Sequence, residues 1–183
     1  THIHTYTHTH THTPTHQPPN SKTHKMDITQ VLANAASPDA ATRANAEQQI
    51  DAAKTQNLPL LMLQLANTLA ADAAPEPTRQ AAGLVLKNAL HAKDPKRKHA
   101  LATTWLHTDP AAKLQIKKTV LSALAAGSKV ARHTAAMAIS AMATIDLPQN
   151  QWPDLIQGLV KNVTGGSSGA DAAAADSGAA GGT

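Results

Sequence analysis

Histidine is the residue type with the most chemical potential in this chain: there are eleven, and seven of them precede residue 25. They fall in the alternation Thr1-His2-Ile3-His4-Thr5-Tyr6-Thr7-His8-Thr9-His10-Thr11-His12-Thr13. Neutral imidazoles ligate zinc, copper or nickel, so one reading is a weak metal-binding tract. The other is a translated CA dinucleotide repeat, in which ACA-CAC encodes Thr-His and single C-to-T changes give the Ile and the Tyr. The translated repeat is preferred, because alternating threonine supplies no ligand geometry and no outer partners. On that reading Met26 is the expected start, and residues 1–25 form a disordered low-complexity segment. His91, His99, His107 and His133 are scattered without evident carboxylate partners. The chain has no cysteine, which excludes disulfides, cysteine zinc sites and thiol nucleophiles. It also lacks a phosphate-cradling glycine loop and a His-Glu-x-x-His pair. The expectation is a protein that is not an enzyme and carries no cofactor.

The basic residues offer a second kind of chemistry. Lys93, Lys96, Arg97 and Lys98 form the densest cluster, open to reading as a nucleic-acid or nuclear-localisation patch. Four charges make a small electrostatic footprint, and no aromatic residues are interleaved for base stacking. A solvated helix start is favoured over nucleic acid. Residues 26–164 hold 14 Lys+Arg and 10 Asp+Glu, a formal +4, while the first 25 residues add 2 and the last 19 subtract 2. No apolar run approaches the roughly 18 residues of a membrane span, and the N-terminus lacks the apolar centre of a signal peptide. A soluble, intracellular protein without membrane insertion is expected.

The elements that position these groups read as helices throughout. Apolar residues recur at helical spacing in Ile28, Val31, Leu32 and Ala35, in Leu58, Leu61, Leu65 and Leu69, and in Ala82, Leu86, Ala89 and Leu90. The stripes continue through Ile116, Val120, Ala123 and Leu124, through Val130 to Ile145, and through Trp152, Leu155, Ile156, Leu159, Val160 and Val163. Ser37-Pro38, Asp94-Pro95 and Asp109-Pro110 each set a capping side chain before a proline tolerated in a first helical turn. Asn57-Leu58-Pro59 and Trp152-Pro153 suit the same role. Eight helices follow, near 27–36, 38–56, 58–71, 77–91, 95–107, 110–126, 130–146 and 152–163. Residues 165–183 contain only Gly, Ser, Ala, Asp and Thr and are expected to be a disordered tail.

Short connections make successive helices antiparallel neighbours, and two-helix units of about 40 residues indicate an all-α solenoid of the HEAT or armadillo kind. The pairs fall as 27–56, 58–91 and 110–146, with 95–107 as an extra helix. That leaves 152–163 unpaired, which suggests an array cut in mid-repeat.

Specific residues then resemble a known family. Asn57-Leu58-Pro59, Ala81-Ala82-Gly83-Leu84 with Lys87-Asn88, Lys93-Asp94-Pro95, Trp105-Leu106 and Asn150-Gln151-Trp152-Pro153-Asp154-Leu155-Ile156 occur in the order and spacing of the N-terminus of the importin-β family of nuclear transport receptors, also called karyopherins. The Ser37-Pro38-Asp39 break is similar too. The resemblance spans residues 26–164 and implies N-terminal HEAT repeats. It implies a receptor of cytoplasm, nucleus and nuclear pore, which carries cargo or an importin-α-type adaptor, meets nucleoporins and engages Ran-GTP through these first repeats. It makes Lys87, Asn88 and Lys93 candidate Ran contacts, weighed against ordinary solvated side chains. Gly83, Trp105 and Trp152 are expected to serve packing between repeats, the glycine by admitting a neighbouring helix and the tryptophans from apolar stripes. The alternatives are a truncated or mis-annotated gene fragment without transport activity, and the histidine-tract metal binder.

Overall fold

The computed structural model describes residues 26–165. The segments 1–25 and 166–183, with the Thr/His tract and most of the Gly/Ala tail, lie outside them. The chain folds into α1 (Ile28–Ala35), α2 (Ala40–Ala70), α3 (Glu76–Ala89), α4 (Pro95–Leu106), α5 (Pro110–Ser122), α6 (Lys129–Asp146) and α7 (Leu155–Gly165). Among the described residues there is no strand.

Local chemistry sets most helix ends. Asp27, Asp39, Asp94 and Asp109 each accept backbone N–H groups from the first turn of the helix that follows, which satisfies donors that a helix start leaves orphaned. Pro95 and Pro110 occupy the first helical position, where no N–H is needed. The second helix begins at Ala40 and not at 38, because the Asp39 carboxylate takes the Thr42 N–H at 2.7 Å while Ser37 Oγ only braces the Asp39 N–H. Asn57 breaks α2 internally, with φ −157° and ψ 79°. Its side chain accepts the Leu60 N–H at 3.0 Å and so caps the second segment, in whose first turn Pro59 sits without cost. The expected helices near 38–56 and 58–71 thus run end to end across a kink.

Two rows of helices stack side by side. Within each pair α1 packs on α2, α2 on α3, and α5 on α6; between pairs α3 packs on α6 and α2 on α5, and α7 extends the row of α5. The core between the rows is built from Leu61, Met62, Leu65, Leu69, Leu86, Ile116, Val120 and Met142, each fully buried. Helix α4 is the extra element and touches α6.

A repeated arginine braces the turn inside each helix pair. Arg43, Arg79 and Arg132 each stand four residues after a helix N-cap, at Asp39, Pro75 and Ser128. Arg43 donates to Ser37 O and Pro38 O, and Arg132 to Ala126 O and Gly127 O. Arg79, itself buried, donates to Leu69 O at the end of α2 and to Asp72. Each guanidinium closes the turn before its own helix by satisfying carbonyls with no helical partner.

Candidate partner-binding surface and buried ion cluster

Gly83 lies at the crossing of α3 and α6. A Cβ there would come within 2.6 Å of Thr134 Cβ and Oγ1 and 3.4 Å of Leu69 Cδ1. Only a residue without a side chain lets these two helices approach so closely.

Four residues further along α3, Lys87 lines a groove of about 320 Å³ where α3, α4 and α6 converge. His91 and Lys98 share its rim, and Met137, Ala141 and Ile145 of α6 supply apolar floor. Lys87 is half-buried, whereas Asn88 and Lys93 are exposed and stand outside the groove. Among the described residues Lys87, Lys93, Lys96, Arg97 and Lys98 make no ion pair. The result is a basic surface running from the end of α3 into α4. The clash between those cations and the start of α4 is relieved by Asp94, whose carboxylate takes the Arg97 N–H at 2.7 Å and places a negative charge on the positive helix end.

The two tryptophans belong to a different site, one missed in the sequence. Trp105 of α4 is fully buried, and its Nε1–H donates to Asp146 Oδ1 at 3.1 Å. Asp146, at the end of α6 and also fully buried, pairs with Lys113 Nζ at 3.3 Å and Lys117 Nζ at 2.8 Å. The Lys117 contact with Oδ2 is ionic and not an aligned hydrogen bond. Each ammonium also stands over an indole: Lys113 lies 5.2 Å from the Trp105 ring centre and Lys117 4.9 Å from that of Trp152. Gln151 completes the cage, its side-chain oxygen accepting from Lys113 and its carbonyl from Lys117 at 2.8 Å. Its own N–H returns to Asp146 O at 2.9 Å, across a turn that holds Asn150 in the left-handed region at φ 53°. Asparagine tolerates that conformation better than most residues.

This cage moves the last helix start. With Trp152 buried against Lys117, residues 151–154 serve as an anchored turn, and α7 begins at Leu155 and not at 152. The missed signal was Lys113-Ile116-Lys117-Val120, two lysines inside an apolar helical stripe, where a buried counter-ion is required. Among the described residues no group of His, Cys, Asp or Glu is arranged to hold a metal ion, and no helix is long and apolar enough to cross a membrane.

Comparison with known proteins places this arrangement. Residues 46–126 match the family described as Importin-beta N-terminal domain. Importin subunit beta-1 of Arabidopsis thaliana is 44% identical over 138 residues, which is 75% of this chain and 16% of that protein. A crystal structure of importin beta superposes with a TM-score of 0.71 at 39% identity, covering 74% of this chain and 16% of the other. Yeast importin-beta, Kap95p, is 32% identical in two complexes, one with RanGDP at a TM-score of 0.68 and one with Nup1 at 0.67, each covering 71% of this chain and 15% of Kap95p. The chain therefore spans about a sixth of the length of these relatives. Two rows of paired helices, the domain match at 46–126 and the likeness over three quarters of the chain put it in the importin-β family, as an N-terminal HEAT-repeat region.

Proposed function

We propose that this chain is a binding scaffold of a nuclear import receptor and that its basic surface at the α3–α4 junction engages Ran in its GTP form. The observation that carries this reading is the groove around Lys87, with His91 and Lys98 on its rim and unpaired Lys93, Lys96 and Arg97 beside it. Cations without internal partners suit an acidic protein surface, and such complementarity raises association rate and specificity more than affinity. Support comes from Kap95p, whose complex with RanGDP is described as driving the Ran switch loops to the GTP-bound conformation. A scaffold that selects this conformation binds the GTP form more tightly. Lys87 acts from within the groove, while Asn88 and Lys93 act from its exposed margin.

Cargo or adaptor binding, nucleoporin contact and passage between cytoplasm and nucleus through the pore are proposed for these repeats as part of a receptor of its relatives' length. In such a receptor Ran and cargo oppose each other, and each must weaken the other by the same factor. For the chain itself the test is retention on immobilised Ran. Retention on the GTP-loaded form should exceed that on the GDP-loaded form and fall with Lys87→Glu and Lys93→Glu. Equal retention on both forms counts against the reading.

A further inference from the structure

The Asp146 cage opens on one side into a cavity of about 370 Å³, lined by Leu106, Thr108, Lys113, Lys117 and Trp152 with Asp154 at the rim. Two ammonium groups, each on a side chain only 6% exposed, share a single buried carboxylate. The buried charge is thus +1, and an uncompensated charge in such a place is costly. The hydrogen-bond inventory points the same way. An ammonium has three donors, yet among the described residues Lys113 makes an aligned hydrogen bond only to the Gln151 side chain and Lys117 only to the Gln151 carbonyl, their contacts with Asp146 being ionic. Each Nζ lies beside an indole, and both lysines line the cavity.

We propose that this cavity binds a compact oxyanion, a phosphate or carboxylate group, which accepts N–H groups that Lys113 and Lys117 have left without an aligned acceptor and neutralises the cage. Exposed Asp154 opposes the ligand from the rim, so it tunes affinity downward. Occupancy ties α5 to the turn at residues 150–152 and hence fixes α7 against the third helix pair. Binding to the folded state alone raises stability by mass action.

The protein contains its own reporter, because its only two tryptophans are the two that stack on these lysines. The full chain is titrated with inorganic phosphate and, separately, with succinate, following tryptophan fluorescence at constant pH and at ionic strength held with sodium chloride. The expected result is a saturable change with at least one of the two anions and none with chloride alone. Response to phosphate only identifies a tetrahedral ligand, and response to succinate only a carboxylate. Asp154→Asn should tighten the midpoint about threefold to fivefold, the scale of one exposed charge pair, and Lys113→Gln should weaken it at least tenfold. Circular dichroism checks the fold of both variants, and if Lys113→Gln does not fold, the gain in Asp154→Asn decides the matter. No saturable response, or a midpoint that stays in place in either folded variant, overturns the proposal.

Discussion

Two ammonium groups and an indole N–H converge on Asp146 at full burial. Breaking a buried ion pair from one side costs about 3–5 kcal/mol, because the partner charges stay buried without compensation. Asp146→Asn should therefore lower the unfolding free energy by roughly that amount in urea denaturation. A loss under about 1 kcal/mol, the value of an exposed pair, would mean that the lysines escape to solvent. Gly83 tests packing at the same scale. Alanine is about 1 kcal/mol better than glycine in a helix, but its Cβ would sit 2.6 Å from two Thr134 atoms, so Gly83→Ala should destabilise by about 1–3 kcal/mol through overpacking. Some of this was legible from sequence. Gly83 stood out as a glycine inside a helical stripe, and Trp105 and Trp152 as members of apolar stripes. What those tryptophans touch was not legible, because Asp146 is 41 residues from Trp105 and only the fold brings them together.

Four of the seven described helices start at an aspartate cap, and at one of these, Asp39, the cap makes stability depend on acid. Hydrogen bonds from the Thr42 side chain and backbone, with a smaller one from the Ala41 backbone, hold the Asp39 carboxyl below its ordinary value. A folded-state pKa below the unfolded value gives stability that is present above the unfolded pKa and disappears as pH falls through the folded one. Asp39→Asn should remove this part of the acid-side loss, and a pH titration by NMR should find Asp39 titrating below an unstructured aspartate. Asp109→Ala should cost about 1 kcal/mol, the usual value of an N-cap, read as a shift in the urea midpoint. Helix order was readable because Asp-Pro starts and 3.6-residue stripes are local signals, although eight helices were expected where seven form among the described residues. The start of α7 was not, since the burial of Trp152 against Lys117 is a tertiary event that converts a promising first turn into an anchor. The join of two helices at Asn57 was equally hidden, for a cap in mid-helix and a cap after a loop look alike in sequence.

At the scale of the whole molecule, the described residues leave one face of α7 exposed. Ile156, Val160 and Val163 are 66%, 55% and 76% exposed, whereas Leu155 is 4% exposed. Ile156→Lys should therefore change stability by no more than about 0.5 kcal/mol, while Leu155→Ala should cost about 2–5 kcal/mol; both are read by urea denaturation. The second helices α3 and α6 stand side by side, and that row brings Lys87 to the floor residues Met137, Ala141 and Ile145. Neither residue scale nor element scale alone assembles that surface. Its role is tested most directly by calorimetric titration of the full chain with Ran carrying a nonhydrolysable GTP analogue, and with Ran carrying GDP. Tighter binding of the GTP-analogue form is expected, weakened by Lys87→Glu and strengthened as salt is lowered. Indistinguishable affinities for the two forms, or a Lys87→Glu protein that binds as well as the unaltered chain, would contradict it.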